Sequence, residues 1–385
     1  MKQTDGFILQ TIHGIPYLLP YGQRIAENRK GLRLNQTGVF LWNAIPNANN
    51  REELLHLLAT HYGATSSEIP FLREDMNTFL DELIAWGMLK EEVPCYEERK
   101  TSYFTIAGLH IAMDSPNSVI FNEFMPYAVT SCPHIDMKIE IFTTSGLSTS
   151  SLEGKLLVHT DELLVSEHPD GFCLFFPMAG QIHEAFLKKD GSLAQFYCQP
   201  PYHEILNHDL FHAIRLVFLY LAQRNGMFAL HSASLYYQNR AWLFSGSSGT
   251  GKSTHTSLWN REFHTPILNG DLNLISIQNA KPVIHGIPWC GTSGISDPGT
   301  YPLGGIILLK QANANYCDKL SSDEKSLFVW QRMISPSWTK SMLNTNLTFS
   351  NILTSDLFVT RLSCTKHKDA AHYMKSQIDC NTEIH

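Results

Sequence analysis

The spacing of apolar positions changes character along the first ninety or so residues. GFILQTI and PYLLPY read as two strands of a hairpin, separated at His13 and Gly14. LRL, Leu32 to Leu34, reads as a third short strand. Asn35 then stands where an N-cap belongs, ahead of a helix through Val39, Phe40, Leu41 and Trp42. REELLHLLATHY puts Leu54, Leu55, Leu57 and Leu58 at helical spacing, with Gly63 as its terminator. From about Ile69 to Trp86 the residues Phe71, Leu72, Met76, Phe79, Leu80, Leu83 and Ile84 keep one helical stripe, and Gly87 ends it. KEEVPCYEERKTS, Lys90 to Ser102, is charged, carries Pro94, and reads as a domain boundary.

Beyond it the pattern turns strand-rich: YFTIAGLHIAM, SVIFNEFM, DMKIEIFTT, KLLVHT, ELLVSEHP, GFCLFFP and AQFYCQ, with TTSGLSTSS between Thr143 and Ser151 as a solvated loop. HDLFHAIRLVFLYLAQRNG predicts a helix. Its run IRLVFLYLA is about half a membrane span, so it reads as a buried helix. ALHSASLYY and RAWLFSG predict two more strands, after which helices and strands alternate to the end. The expected layout is residues 1–92 as one domain, 93–102 as linker, and 103–385 as a second domain, strand-rich over 103–200 and with its core over 201–385.

Composition narrows the classes. A chain of 385 residues with 43% hydrophobic and 17% charged residues has material for a sizeable core in two or three domains. A net charge of −7 argues against a nucleic-acid partner. The eight cysteines form no C-x-x-C pair, and MKQTDGFILQ has no signal-peptide pattern. A reducing cytoplasm with free thiols is expected, without structural zinc and without a membrane partner.

One stretch carries chemistry. GSSGTGKST, from Gly246 through Ser247, Ser248, Gly249, Thr250, Gly251, Lys252 and Ser253 to Thr254, satisfies G-x-x-x-x-G-K-S between an apolar strand, AWLFS, and a helix. Glycines let backbone N–H groups turn inward around phosphate oxygens, and the helix start adds unpaired N–H groups and a positive dipole end. The Lys252 ammonium is expected at the β/γ-phosphates of ATP and the Ser253 hydroxyl on Mg²⁺. A carboxylate must complete the site. ILNGDLNLI, read as one strand, puts Asn269, Asp271 and Asn273 on one face, which makes Asp271 the leading acid. His231, in LHSASL just upstream, is either structural or a partner that tunes that acid. His285 and Asp297 flank GIPWCGTSGI and read first as surface loop residues. Trp242, Trp259 and Trp289 read as core.

His231, the glycine loop about fifteen residues on, and Asp271 some twenty residues beyond it together resemble HPr kinase/phosphorylase. That resemblance implies a phosphoenolpyruvate-carboxykinase-like P-loop domain, mixed α/β, with motifs confined to Leu230 to Ile307. GTGKSTHTSLW, LNGDLNLI and GIPWCGTSGI look like the HPr-kinase-related proteins of bacterial peptide-modification clusters. The resemblance implies His231 and Asp271 as the base pair, Lys252 in catalysis, and Ser253 and Asp271 at the metal. It departs in two places. The family's adjacent-Asp pair is broken by Gly270, and IPWCGTSG holds no acid where the family has a Glu. The family also implies a homo-oligomer.

LNQTGVFLWNAI followed by a helix ending AWGMLK resembles the PqqD-like domains of ribosomal-peptide pathways, over about Gly6 to Lys90. This implies a winged-helix unit of three short strands and three helices that binds a leader peptide as an added strand, here along Leu32, Arg33 and Leu34. The combined expectation is a peptide Ser/Thr kinase using ATP and Mg²⁺. A kinase for free serine or a sugar, and a non-catalytic nucleotide-gated peptide adaptor, stand as alternatives.

Overall fold

A computed structural model of the chain describes residues 1–26, 30–48, 50–65, 68–90, 98–143, 154–179, 181–199 and 204–382. The expected linker up to residue 97, and the expected loop after Thr143, lie outside them.

At the N-terminus, Phe7–Ile12, Ile15–Pro20 and Leu32–Arg33 form a three-stranded antiparallel sheet in that order. Ile12 pairs Ile15 across His13 and Gly14, whose φ values of 50° and 80° give the two positive dihedrals that a tight hairpin turn needs. Three helices follow, Gln36–Ala44, Arg51–Tyr62 and Ile69–Ala85. Asn35 caps the first by accepting the Gly38 amide at 2.7 Å, and Asn50 caps the second through the Glu53 amide at 2.9 Å. Gly63, at φ 62°, ends the second. Leu18, Leu41, Leu54, Leu58, Leu80 and Leu83 fill the core between sheet and helices. Burial of such a side chain is worth about 1.5–3 kcal/mol. Lys2–Gln3 pairs with Leu89–Lys90 and ties the two ends of the unit together.

A nine-stranded sheet follows, in the order Lys155–His159, Leu164–Glu167, Gly171–Phe175, Ile182–Lys188, Leu193–Cys198, Met137–Thr143, Leu109–Pro116, Arg99–Ile106 and Ala128–Val129. Two sequence expectations fail here. SVIFNEFM is not a strand, since Asn122–Tyr127 coils as a 3-10 helix and turns Phe124 and Tyr127 into the core. Ile182–Lys188, with its mixed IHEAFLK pattern, is a strand that the sequence did not announce. The first strand also starts at Arg99 and takes in the last four residues of the expected linker, 99–102.

The helix Glu204–Arg224 lies between this sheet and the next. Its Leu210, Ile214, Val217 and Phe218 pack in one cluster with Ile139 and Phe196 on one side and Ala229, Leu272 and Leu274 on the other. The C-terminal sheet closes on itself. Arg240–Ser245 pairs Phe228–Tyr237, which pairs Leu272–Gln278, then Lys281–His285, then Thr300–Gln311, which returns in parallel to Arg240–Ser245. Five strands succeed the helix Lys252–Phe263 before the next α-helix, Ser322–Trp330, so the expected simple alternation does not hold. Phe358–Cys364 extends the sheet in parallel beyond Thr300–Gln311. Lys252–Phe263 and Lys368–Thr382 cover one side, and Ser322–Trp330 and Lys340–Asp356 the other. Trp242, Trp259 and Trp289 are all buried. No described helix is long and apolar enough to cross a membrane.

Candidate functional site

The strand Arg240–Ser245 is buried from Ala241 onward and delivers the chain to the glycine loop. A side chain at Gly246 would stand 2.5 Å from the Thr250 hydroxyl and 3.3 Å from the Leu309 carbonyl, so the turn closes tightly there. Thr250 in turn donates its hydroxyl to Ser247 O at 2.7 Å, and Gln311 Nε2 donates to Gly249 O at 2.9 Å. Gly251, at φ 106°, begins the helix Lys252–Phe263 and offers no capping side chain. The first-turn N–H groups are left for an anion. Lys252 is 9% exposed, and its ammonium donates to Gly246 O at 3.3 Å. Burial pulls its pKa below the ordinary lysine value, while the Asp271 carboxylate pushes it back up. A buried ammonium held across a ring of backbone N–H groups is the donor set a polyphosphate needs. Ser248, Ser253 and Thr254 are exposed around the same turn.

Asp271 and His231 meet beside this loop. His231 lies on Phe228–Tyr237 opposite Leu272, and Ser232 donates its amide to Asp271 O at 2.9 Å. That register brings His231 Nε2 to 3.1 Å from Asp271 Oδ1. The His231 hydrogen bond holds the Asp271 carboxyl below the usual carboxylate range, and the charges of Lys252 and Arg215 add to it. Such a carboxylate stays ionised at neutral pH. It orients a hydroxyl or a cation well.

ILNGDLNLI is not one strand. It breaks into Ile267–Asn269 and Leu272–Gln278, with Gly270 and Asp271 at the break. Asn269 causes the break. Its Oδ1 accepts the Asp271 and Leu272 amides at 2.9 and 3.0 Å, and its Nδ2 reaches the Ile287 and Trp289 carbonyls. Asn269 and Asn273 therefore do not share a solvent face with Asp271. Both are 1% exposed, and Asn273 binds Ser232 O at 2.6 Å. Gly270 is filled from outside. A Cβ there would stand 2.0 Å from Ser293 Oγ and 2.4 Å from Ser293 Cβ. The loop that follows Trp289 thus occupies the space that any side chain at position 270 would need.

His285 is not a surface loop residue. It ends a strand at 3% exposure, with Nε2 at 2.8 Å from Ser276 Oγ and Nδ1 at 3.0 Å from Thr300 Oγ1. Asp297 accepts from Gly299 N and the Tyr301 hydroxyl, both at 2.7 Å, and braces its own loop. Among the described residues no group of three or more His, Cys, Asp or Glu side chains could hold a metal. Ser253 offers an exposed hydroxyl and Asp271 an ionised carboxylate, the oxygen donors that Mg²⁺ takes.

Sequence reasoning missed the arginines. Arg332 lines a groove of about 480 Å³ together with the loop residues Ser245 to Thr250, Phe328 and Arg361. Its charge acts on Lys252, and its carbonyl accepts the His231 amide at 2.9 Å. Arg361 lies over the Phe328 ring at 5.4 Å and pairs with Asp318 at 2.6 Å. Arg215, in the middle of the apolar run IRLVFLYLA, faces the charge of Asp271. The two halves of the groove come from segments about eighty residues apart, so local spacing held no signal for them.

At the N-terminal sheet, Leu32–Arg33 is the edge strand. A cleft of about 510 Å³ runs between it and the helix Ile69–Ala85, lined by Leu32, Arg33, Leu34, Asn35, Phe79 and Glu82. Arg33 is exposed, but Leu34 is 4% exposed and belongs to the core, so its side chain forms a floor and presents no free surface.

Residues 25–89 match the family described as Coenzyme PQQ synthesis protein D (PqqD). No curated protein matches the chain.

Proposed function

We propose that the chain is a phosphotransferase that moves the γ-phosphoryl group of ATP to a Ser or Thr hydroxyl of a ribosomally made precursor peptide, captured through its leader. The C-terminal half is read as a phosphoenolpyruvate-carboxykinase-like P-loop domain, on its likeness to HPr kinase/phosphorylase. One observation carries the reading: the buried Lys252 in its glycine cradle faces the charge of Asp271, which His231 Nε2 meets at 3.1 Å. Ser253 and Asp271 would hold a Mg²⁺, which would supply neutralisation of the phosphate charge. The protein's own part is positional. The loop amides and Lys252 hold the phosphates, Ser253 sits at the metal side, and Asp271, steadied by His231, receives the acceptor hydroxyl and its proton. Phosphoryl transfer places most of the demand on alignment and charge, so a low-pKa carboxylate suffices.

The PqqD-like match at residues 25–89 supports peptide capture, with the free edge of Leu32–Arg33 as the docking strand and Phe79 and Glu82 on the facing wall. Tethering capture and transfer on one chain raises the local concentration of the acceptor, so a weak contact at the catalytic end is enough. The competing reading, a nucleotide-gated peptide adaptor, is favoured by the lone acid. The test is incubation of the full chain with γ-labelled ATP, Mg²⁺ and precursor peptides encoded beside its gene, read by mass spectrometry. A single added phosphate, lost in Asp271→Asn and reduced without residues 1–90, supports the kinase. Tight binding of ATP and leader with no transfer leaves the adaptor.

A further inference from the structure

Two cavities flank the glycine loop. The first is the groove lined by Ser245 to Thr250, Phe328, Arg332 and Arg361. It belongs to the side of the His231–Asp271 pair, because two of its residues are bonded to His231. Ser245 Oγ donates to the His231 carbonyl at 2.7 Å, and the Arg332 carbonyl accepts the His231 amide at 2.9 Å. The second cavity, of about 550 Å³, begins at Thr254 and follows the helix Lys252–Phe263 past Ser257 to Arg261. Its other wall is the turn 366–369. The two cavities share no lining residue.

Topology builds the second cavity. Arg240–Ser245, Thr300–Gln311 and Phe358–Cys364 lie side by side in parallel. The glycine loop leaves the first strand and the turn leaves the third, so both emerge at one edge of the sheet. The crevice beyond the carboxyl ends of parallel strands is where such sheets take their ligands. The walls are already fixed to each other. Leu258, 6% exposed, forms the floor and packs in one cluster with Ala370, Ala371 and Met374 of the helix Lys368–Thr382. Thr365 N donates to Asn315 Oδ1 at 2.9 Å and His367 N to Thr365 Oγ1 at 3.3 Å, which holds the turn. The rim is polar and open: Thr254 and Ser257 on the helix, Lys366, Lys368 and Asp369 on the turn, all exposed. Arg261 is turned to Glu262 at 3.1 Å, whereas among the described residues no ion pair holds Lys366 or Lys368.

We propose that this second cavity receives the nucleoside end of the nucleotide: α-phosphate, ribose and base. The proposal deepens the phosphotransfer reading and rests on it for the triphosphate at the glycine loop. A triphosphate is a linear chain, with the acceptor at one end and the nucleoside at the other. If its γ end is turned to Asp271 and its β/γ-phosphates lie on Lys252, the nucleoside leaves on the side away from the dyad, past Thr254. The lining suits that end. Lys366 and Lys368 supply charge for the α-phosphate and N–H donors for base nitrogens, and the Asp369 carboxylate accepts from ribose hydroxyls. The apolar floor at Leu258 lies under a flat ring. The volume falls in the range of small-molecule sites, about 300–1,000 Å³.

The experiment is calorimetry on the full chain with Mg²⁺. The probes are ATP and inorganic triphosphate, which carries the phosphates without the nucleoside. ATP should bind at least about tenfold more tightly than triphosphate. Ser257→Trp fills the cavity from an exposed helix position. It should bring ATP down to the level of triphosphate and leave triphosphate affinity as in the parent, which also shows that the loop is still folded. Lys366→Ala with Lys368→Ala should remove part of the ATP advantage. Phe328→Ala, in the groove beside the dyad, should keep the ratio of the two affinities. Equal binding of ATP and triphosphate by the parent overturns the proposal, and so does an ATP advantage that survives Ser257→Trp. An advantage lost in Phe328→Ala overturns it too, since the nucleoside would then lie in the other groove. An ATP advantage that depends on Ser257 being small, without phosphate transfer to any peptide, leaves the subsite standing and removes the kinase reading. Binding of neither probe removes the glycine loop as a phosphate site, and the proposal with it.

Discussion

Replacing Gly270 with alanine adds one methyl group to the break that carries Asp271, and the structure gives the cost. Gly270 has no positive φ, so the backbone accepts alanine. Space does not. The new Cβ would stand 2.0 Å from Ser293 Oγ, 2.4 Å from Ser293 Cβ and 3.2 Å from the Cys290 carbonyl. Relief at a carbon contact of about 3.5 Å means that Ser293 must retreat by an ångström or more. That movement breaks the bond from Ser293 Oγ to Cys290 O at 2.7 Å and the bond it accepts from Ile295 N at 3.2 Å. Two such bonds are worth about 1 kcal/mol each, and overpacking adds about 1–3 kcal/mol. A loss of about 3–5 kcal/mol is expected. The loop also rests on Asp271, since a Cβ at Gly291 would lie 2.8 Å from Asp271 Cβ. Phosphotransfer should therefore fall together with stability. Hydrogen exchange over residues 268–296 reads the effect locally, and about 3 kcal/mol corresponds to roughly 150-fold lower protection. Ser293→Gly removes the two nearest atoms and should restore much of the protection when combined with Gly270→Ala. Parental protection and activity in the single Gly270→Ala variant, or failure of the rescue, would refute the reasoning.

Three further outcomes follow from the site. Lys252→Ala should leave the fold intact, because its ammonium makes only one long bond to Gly246 O at 3.3 Å, yet ATP affinity by calorimetry should drop about a hundredfold with the loss of a charge-assisted contact. His231→Ala should move the acid limb of the phosphotransfer profile to higher pH, since the His231 hydrogen bond is the largest cause of the depressed Asp271 pKa, and an unmoved limb would show that the limb belongs to another group. His255, buried against Cys364 Sγ at 3.1 Å, is held by burial at a pKa of about 4, so the unfolded imidazole takes up a proton between pH 6.5 and about 4 that the folded one refuses. That group alone should withdraw about 3 kcal/mol of stability as pH falls through this window, and His255→Gln should flatten the drop in unfolding temperature between pH 7 and 4.5.

The parts of the fold that were legible are those in which the signal is local. The hairpin at His13 and Gly14, the Asn35 cap and the stop at Gly63 each depend on neighbours in sequence, and each stands where the pattern put it. The glycine loop lies between strand and helix for the same reason. What failed was tertiary. Alternation in ILNGDLNLI looked like a continuous strand, but the amide of Asn269 competes with the ladder and wins by satisfying four backbone groups at once. SVIFNEFM has the apolar content of a strand, yet Phe124 packs edge-on against Trp289 at 5.6 Å, a contact across more than a hundred residues, and a compact turn serves that better than an extended chain.

The same distinction separates the half of the site that sequence could name from the half it could not. Lys252 and Asp271 are tied to motifs, because a phosphate cradle and its acid need fixed spacing along one chain segment. The arginines need none. Arg215 sits in a run whose other members, Ile214, Val217 and Phe218, are core, and by pattern alone a lone cation there reads as a surface intrusion. Only the folded chain brings it within the field of Asp271. Joining Thr300–Gln311 back to Arg240–Ser245 sets the glycine loop beside Arg332 and Arg361, and pairing Phe228–Tyr237 with Leu272–Gln278 carries Asp271 to His231 and toward Arg215. Lys252 and Arg215 then bring their charge to Asp271, while Arg332 and Arg361 line the groove of the glycine loop, in a chain whose net charge is −7. Total charge misleads about the site because the acidic excess lies elsewhere. Around the glycine loop the side-chain charges are those of Lys252, Arg332 and Arg361, the set that the proposed polyphosphate site requires.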